Sequence, residues 1–258
     1  MGKIIAVAVP KGGVGKTTTA VNLATSLAVA EKQTLLVDVD PMGTCSQALG
    51  ISDKEIRGGI FEVFNFTKAI DQVTHLTNIP NLKFIPSRLN AYLDEERLSK
   101  LAENKLFLRN ILRSEIFSYD YIIIDCPPYL RGLTTSALLA ADSVILPIRQ
   151  ESYSLNAVTK LLEHVEWIKQ HGNSLLRVEG ILLTMYESRT KVSSLAQRNL
   201  LKEYSSQLFK TVIPHNTTLT EATFSGKPAV LFNAIAKGSV AYLQLAEELM
   251  QRENHIYN

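Results

Sequence analysis

The chain has 258 residues, 46% of them hydrophobic, which is enough for one large α/β domain with a substantial buried core. Its 27 basic and 25 acidic residues leave a formal charge of +2, which by itself indicates neither a nucleic-acid nor a membrane partner. Two cysteines, Cys45 and Cys126, are too few for a disulfide framework and form no closely spaced pair of the kind that binds zinc.

No apolar segment approaches the roughly 20 residues that a helix needs to cross a bilayer. The first apolar run, residues 4–9, continues into a glycine-rich loop instead of the small-residue cleavage site of a signal peptide. We therefore expect a soluble protein of a reducing, cytoplasmic compartment.

Short apolar runs alternate with longer segments of helical period along the chain. The predicted strands are residues 4–9, 34–39, 82–85, 121–125, 143–148, 178–184 and 208–213. The predicted helices are residues 16–30, 105–116, 133–140, 155–170, 193–204, 219–224 and 238–252. Most of the strands are apolar throughout, which is typical of a mostly parallel, twisted sheet with helices on both faces. We expect residues 51–101 to contain a variable insertion and residues 1–258 to form a single domain.

Residues 10–18, PKGGVGKTT, follow the first predicted strand and open the first predicted helix, the context in which a glycine motif binds phosphate. Glycines let successive backbone N–H groups converge on an anion, and the helix N-terminus adds partial positive charge. In such a loop Lys16 bridges the β- and γ-phosphates and the Thr17 hydroxyl ligates Mg²⁺. The predicted nucleotide-binding residues here are Lys11, Gly12, Gly13, Val14, Gly15, Lys16, Thr17 and Thr18.

Two acidic motifs end predicted strands. LVDVDP, residues 36–41, contains Asp38 and Asp40, and YIIID, residues 121–125, ends at Asp125. A parallel sheet presents its ligand crevice at the carboxyl ends of its strands, so we expect these carboxylates near the phosphates. Asp125 is predicted to hold Mg²⁺ through water, while strand-end or turn carboxylates are the alternative interpretation of Asp38 and Asp40. The predicted reaction is in-line attack of water on the γ-phosphoryl group.

The phosphate loop departs from the usual pattern G-x-x-x-x-G-K-[ST], because Pro10 replaces its first glycine and Lys11 follows. It resembles the deviant Walker A form, K-G-G-x-G-K-[ST], of the ParA/MinD/NifH group of P-loop ATPases. Segments over nearly the entire chain look like those of ParA/Soj-type partition ATPases, among them LLVDVDP, YDYIIIDCPP, ALLAADSVILPI, LLTMYESRT and IPHNTTLTEATFSGKPAVLF. The resemblance implies the P-loop NTPase fold with ATP and Mg²⁺ as cofactors.

The resemblance also implies a slow ATPase that forms a homodimer with ATP, binds double-stranded DNA without sequence preference and is stimulated by a ParB-type adaptor. Lys11 would reach the partner's phosphates, Asp40 would position the attacking water, and Asp38 would support the Mg²⁺ shell. The implied protein is cytoplasmic and nucleoid-associated, in the short form without an N-terminal helix-turn-helix domain. The residues expected around the base are Thr184, Met185, Pro214 and Asn216.

The resemblance carries a DNA contact over to Arg189, and Lys191 and Arg198 lie close to it in sequence. Such phosphate contacts need several cations on one face and weaken with salt. Family members commonly read I-P-R-N-V-R-L-S-E-A where this chain has I-P-H-N-T-T-L-T-E-A, so His215 and Thr218 stand in place of two arginines. DNA binding is therefore weaker, absent or moved to other cations, and solvated surface charges are the alternative interpretation. The other candidate cations are Lys202, Lys210, Lys227 and Lys237.

Three other functions fit the same scaffold. A MinD-like ATPase would engage membrane through a C-terminal amphipathic helix, but residues 247–255 lack the basic face and apolar stripe of such a helix. NifH-like electron transfer needs cysteines from two subunits for an iron–sulfur cluster, and Cys45 and Cys126 each lie beyond an acidic motif. ATP-driven positioning of a cytoplasmic protein cargo would use the same motifs as DNA partition.

Overall fold

The computed structural model describes residues 2–87, 104–149, 154–187 and 202–254. Within these ranges the strands form a seven-stranded sheet in the order β3-β4-β2-β5-β1-β6-β7, and every neighbouring pair except β3 and β4 is parallel. The strands are β1 (Lys3–Val7), β2 (Thr34–Asp38), β3 (His75–Leu76), β4 (Leu82–Ile85), β5 (Tyr121–Asp125), β6 (Ser143–Arg149) and β7 (Arg177–Thr184).

Helices connect most of the strands, as parallel pairing requires. They are α1 (Lys16–Val29), α2 (Thr44–Ala48), α3 (Ile60–Phe64), α4 (Ile70–Val73), α5 (Phe107–Glu115), α6 (Leu133–Ala140), α7 (Ser154–His171), α8 (Thr217–Phe224), α9 (Ala229–Phe232) and α10 (Lys237–Asn254). No helix among them is long and apolar enough to cross a membrane, as far as the described residues extend.

Both faces of the sheet are buried, and this explains the continuous apolar character of its strands. Alternate residues of β1 belong to two separate hydrophobic clusters: Ile4 and Ala6 pack with α5, α6 and α7, whereas Ile5 and Val7 pack with α1 and α10. All five residues of β2 and of β5 are buried. The predicted architecture, a mostly parallel sheet between two helical layers, is therefore confirmed.

The register of the central strands aligns their carboxyl ends. Asp125, the last residue of β5, lies opposite Val7 of β1 on one side and opposite Asp38 of β2 on the other. The phosphate-loop segment leaves β1 from this same edge, so the two acidic strand ends flank its start. Parallel pairing thus converts three motifs that are distant in sequence into neighbours.

The predicted strand at residues 208–213 is wrong, because the segment makes only isolated bridges to β7 and its neighbouring loop. Phe209 N–H donates to Ile181 O, but the next bond to β7, from Ile213 N–H to Leu183 O, comes four residues later instead of two. The intervening N–H groups of Lys210 and Thr211 donate to the carboxylate of Glu248, both at 2.8 Å. The Glu248 side chain of α10 therefore interrupts the hydrogen bonding between this segment and β7.

The region predicted as an insertion contains short elements in its described part: α3, α4, and the two-residue strand β3, which pairs antiparallel with β4. Strand β3 was not predicted, since two residues carry no periodic signal. The predicted helix at residues 193–204 lies largely outside the described residues. The other predicted helices and strands are present, with ends that differ by up to two residues.

The loop between α7 and β7 supports the end of α6 through one buried side chain. Asn173, 4% exposed, donates from Nδ2 to Leu138 O at 2.9 Å and to Ala141 O at 2.7 Å.

Asn173→Ala should lower the free energy of unfolding by about 1–3 kcal/mol, because two buried carbonyls lose their donor. Urea unfolding measures the change. The exposed Asn156 of α7 is the matched control, and Asn156→Ala should stay within about 0.5 kcal/mol of wild type; equal effects of the two changes would contradict the assignment.

Candidate active site

The phosphate loop joins β1 to α1 and leaves an open concave surface. Gly13 and Gly15 adopt φ values of 69° and 84°, in the left-handed region that favours glycine. A Cβ added at Gly12, Gly13 or Gly15 would meet no atom within 4 Å. The backbone therefore bends as a phosphate cradle must, and the space beside it is free for a ligand.

Lys16 is the first residue of α1, and its side chain is held against the loop that precedes it. Only 7% of the residue is exposed, and Nζ donates to Lys11 O at 2.9 Å. Burial lowers the pKa of Lys16, while the charges of Asp125 and Asp40 raise it in opposition. The ammonium group is thus close to both acidic motifs, as the sequence predicts for a group that binds phosphate.

The carboxylate of Asp38 is fully buried and organises the turn after β2. Its Oδ1 accepts the N–H of Asp40 at 2.9 Å, and its Oδ2 accepts the N–H of Cys45 at 3.2 Å. Asp40 is 8% exposed, and its Oδ1 accepts the N–H of Met42 at 3.0 Å. The two carboxylates therefore differ in their surroundings: Asp38 fixes the turn and is 0% exposed, whereas Asp40 lies on the turn and keeps a small exposed fraction.

Asp125 completes the group of buried carboxylates. The Cys45 thiol donates to Oδ2 at 3.4 Å, and the neighbouring Thr17 hydroxyl lowers the pKa of the Asp125 carboxyl. The other oxygen, Oδ1, is buried and has no hydrogen-bond partner within the described part of the chain. Burial first, and then the charge of Asp40, raise the pKa of Asp125 to about 7. Burial and the charge of Asp125 likewise raise the pKa of Asp38 well above its ordinary value.

The raised pKa values show that two acidic groups have been removed from water without a full complement of positive charge. A divalent cation supplies that charge, and the unpartnered Oδ1 of Asp125 and the Thr17 hydroxyl are suitable ligands for Mg²⁺. Cys45 also lies at this site, although from the sequence it is a candidate only for the iron–sulfur alternative. Only the fold reveals it, because the turn after β2 directs the start of α2 back toward β5.

A cavity of about 300 Å³ adjoins the phosphate loop at Gly15 and Thr18. All four residues predicted around the base line it, namely Thr184, Met185, Pro214 and Asn216. The predicted set omits Leu219, Phe224 and Tyr242, which also line the cavity. These come from α8 and α10, so no local pattern in the sequence relates them to the loop.

Two of the predicted base residues also have structural tasks. The Thr184 hydroxyl donates to Val14 O at 2.9 Å and lies 3.1 Å from Ile148 O, so it joins the phosphate loop to the sheet. Asn216 is the N-cap of α8, and its Oδ1 accepts the N–H of Thr218 at 2.9 Å. The sequence predicts the location of these side chains but not this use of them.

The predicted DNA contacts Arg189, Lys191 and Arg198 lie outside the described residues. Where the family arginines are replaced, His215 Nδ1 lies 3.2 Å from Glu187 Oε1, and Thr218 occupies the first turn of α8. Neither position contributes a permanent positive charge. The alternative cations are all exposed: Lys202, Lys210, Lys227 and Lys237.

The buried carboxylates should make the metal-free protein less stable as pH rises. The pKa of Asp125 is about 7 when folded, above its ordinary value of 3.8, so the folded state binds the extra proton between these values. Stability from this group is present at low pH and is lost as pH rises through about 7. Asp125→Asn should therefore raise the free energy of unfolding by at least about 1 kcal/mol at pH 8, and the gain should shrink toward pH 4.

Urea unfolding across this pH range, without nucleotide or divalent cation, measures the effect. Asp53 lies exposed in a turn, and Asp53→Asn makes the same charge change as a control, with an expected effect within about 0.5 kcal/mol. A destabilised Asp125→Asn at pH 8 would contradict the expected direction.

Comparison with known sequences agrees with this arrangement. The profile of a family described as an AAA domain matches residues 2–178. The chromosome partitioning protein ParA of Myxococcus xanthus is 41% identical over 253 residues, which cover 98% of this chain and 89% of that protein. The sporulation initiation inhibitor protein Soj of Bacillus subtilis is 39% identical over 249 residues, covering 96% of this chain and 98% of that protein.

A solved structure supports the same fold. Cobyrinic acid a,c-diamide synthase from Mycobacterium smegmatis, crystallised with ADP and magnesium, matches with a TM-score of 0.82 at 27% identity. The match covers 98% of this chain and 96% of that chain. Taken together with the phosphate loop and the acidic strand ends, the similarity over nearly the full length shows that the chain belongs to the ParA/Soj family of P-loop ATPases.

Proposed function

We propose that this protein is an ATPase that dimerises with ATP, binds DNA without sequence preference and partitions chromosomal or plasmid DNA under the control of a ParB-type adaptor. The observation that carries the proposal is the meeting of Lys16 with two carboxylates, Asp40 and Asp125, at the open phosphate loop. The partition role is supported by similarity to the M. xanthus protein, which is named for chromosome partitioning. The expected location is the nucleoid.

The residues of the site fit ATP and Mg²⁺. Among the described residues no atom lies within 4 Å of a Cβ built at Gly12, Gly13 or Gly15, so there is space beside the loop in which a triphosphate could lie. The Thr17 hydroxyl and Asp125 offer oxygen ligands of the kind that Mg²⁺ prefers, and Asp38 supports them from the adjacent strand. Mg²⁺, when bound, neutralises charge on the phosphate oxygens during transfer.

The proposed hydrolysis depends on positioning. Lys16 is held at the loop by the Lys11 carbonyl and is available to the β- and γ-phosphates. Asp40 is close enough to Lys16 to affect its charge state, and its carboxylate is fixed by the N–H of Met42. A carboxylate held in this way orients water for in-line attack on the γ-phosphoryl group, which is the role that we assign to Asp40.

Lys11 is assigned to the phosphates of a second copy of the chain, as in the family pattern. The N–H of Lys11 donates to Val9 O at 2.8 Å, and its carbonyl accepts from Lys16. The backbone of Lys11 is therefore fixed by the loop on both sides. ATP would then promote dimerisation as well as serve as substrate.

Asp40→Ala should separate ATP binding from hydrolysis. The change removes the group that orients water but leaves the loop and the Mg²⁺ ligands in place, so turnover should fall at least about 100-fold while ATP binding and the dimer persist. Phosphate release, fluorescent-nucleotide binding and sedimentation measure the three properties. Lys16→Ala is the control that should lose nucleotide binding itself. Turnover at the wild-type rate in Asp40→Ala would remove Asp40 from catalysis.

DNA binding should require ATP and weaken with salt. Binding that depends on phosphate contacts should fall at least about tenfold between about 50 mM and about 200 mM salt, and should be weak with ADP or without nucleotide. Gel shifts with unrelated duplex sequences test both points. Binding that is insensitive to salt or to nucleotide would contradict this part of the function.

Arg189→Glu should reduce this DNA binding without changing basal ATP hydrolysis, because the residue is assigned to DNA phosphates and not to the active site. Lys32→Glu is the matched control: it makes the same charge reversal beyond the carboxyl end of α1, away from the phosphate loop at the start of that helix. Equal DNA affinity of the Arg189→Glu and Lys32→Glu proteins would mean that the DNA-binding surface lies elsewhere, with the four exposed lysines as the next positions to test.

A further inference from the structure

Cys45 has no role in the proposed hydrolysis, yet its thiol lies among the buried acidic groups. One ligand atom each from Asp38, Cys45 and Asp125 lies within 4.8 Å of the other two, and all three residues are buried. The Cys45 Sγ is 3.4 Å from Asp125 Oδ2. Sulfur is a soft ligand and has little affinity for Mg²⁺, so this arrangement favours a different class of cation.

A second observation points to a ligand at the same place. Asp125 is 0% exposed, and its Oδ1 has no hydrogen-bond partner among the residues that the structure describes. A buried carboxylate oxygen without a partner carries a desolvation cost that a bound cation would offset. Mg²⁺ would account for the orphaned oxygen alone, whereas a thiophilic cation would account for both the oxygen and the neighbouring thiol.

We propose that Asp38, Cys45 and Asp125 form a binding site for a thiophilic divalent cation of the Zn²⁺ or Cd²⁺ class. Zinc binds sulfur at about 2.3 Å and carboxylate oxygen at about 2.0 Å, which places sulfur and oxygen ligands roughly 3.5 Å apart in a tetrahedron. The pair formed by Cys45 and Asp125 already has this spacing. Three protein ligands leave the fourth position for water.

Charge balance agrees with this ligand set. When the cation binds, the Cys45 thiol releases its proton to solvent, as does any of the two carboxyl groups that is protonated, and the resulting thiolate and two carboxylates carry three negative charges. The cation supplies two positive charges, and Lys16, which interacts electrostatically with Asp125, supplies another. The positive charges of the cation and of Lys16 therefore compensate the cost of burying the three anions.

The three ligands are held by regular structure. Asp38 and Asp125 are opposite each other in the β2–β5 register, and the N–H of Cys45 is bonded to Asp38 at 3.2 Å. Gly43, with a φ of 60°, turns the chain between Asp38 and Cys45, and a Cβ at this position would lie 2.7 Å from Ser87 O. Little reorganisation is needed to bring the third ligand into place, which favours affinity.

The site shares Asp38 and Asp125 with the proposed Mg²⁺ site. A thiophilic cation would therefore compete with Mg²⁺ and inhibit ATP hydrolysis. This consequence rests on the proposed function, whereas the binding of the cation to the protein does not. The two statements can accordingly be tested separately.

Cobalt is a suitable probe, because Co²⁺ bound by a thiolate gives a sulfur-to-metal charge-transfer band in the near ultraviolet. We expect this band when Co²⁺ is added to the full-length, nucleotide-free protein with a phosphine reductant, and we expect Zn²⁺ and Cd²⁺, but not Mg²⁺, to displace it. Cys45→Ala and Cys45→Ser should both lose the band, and competition with a chromophoric chelator should show at least about tenfold weaker Zn²⁺ binding.

Cys126→Ala is the matched control. Cys126 is also fully buried, but it belongs to the hydrophobic cluster on the opposite face of the sheet from Cys45. This variant should keep the cobalt band. Absence of the band in wild type, its persistence in either Cys45 variant, or its loss in Cys126→Ala would overturn the proposed site.

The ATPase assay distinguishes the two proposals. With saturating Mg-ATP, low concentrations of Zn²⁺ should inhibit the wild-type and Cys126→Ala proteins at least about tenfold more strongly than Cys45→Ala. A cobalt band without any ATPase activity would support the cation site and contradict the proposed function. Activity that is equally sensitive to Zn²⁺ in all three proteins would overturn the inhibitory role of the cation.

Discussion

The parallel register of β2, β5 and β1 is the constraint on which the active site depends. It places Asp38 and Asp125 opposite each other at one edge of the sheet, next to the last residue of β1, from which the phosphate loop departs. The backbone hydrogen bonds at the buried centre of the sheet bring these groups together, so their placement does not depend on the conformation of a loop. A shift of one residue in either pairing would turn the carboxylates to different faces of the sheet.

This placement has an electrostatic cost that the fold does not remove by itself. Asp38 and Asp125 are fully buried, and Lys16 is the cation whose charge acts directly on Asp125. The resulting rise in the pKa of Asp125 to about 7 means that the ionised form of this carboxyl is destabilised by its burial. Functional sites commonly keep such local instability, which a ligand then relieves. Mg²⁺ and the proposed thiophilic cation would each add positive charge beside the buried carboxylates, and only one of them could bind at a time.

The elements predicted most accurately are those with a strong local signal. Strand β5 and helix α6 have the predicted bounds, since an unbroken apolar run or helical period ends at residues that stop it. Family membership and the P-loop fold were likewise predictable, because the phosphate loop and the acidic motifs are continuous in sequence. The roles of Lys11, Asp40 and Arg189 stay predictions until the variants are measured.

What the sequence could not reveal depends on contacts between distant residues. Cys45 reaches Asp125 only because β2 pairs with β5, and Tyr242 meets the nucleotide cavity only because α10 packs on α1. The segment of residues 208–213 has the apolar character of a strand, yet a carboxylate of α10, nearly 40 residues away, takes its N–H groups. Pattern and propensity contain no information about such a competitor.

The bond between Glu248 and this segment also bears on how the sheet ends. Within the described residues, strand β7 is the last strand of the sheet, and residues 208–213 bridge its outer edge only at isolated points. An uncovered strand edge can recruit strands from other molecules and so lead to aggregation. By occupying the N–H groups of Lys210 and Thr211, Glu248 holds a non-pairing segment against that edge and ends the sheet there. Helix α10 thus lowers the tendency of this sheet edge to pair with strands of other molecules.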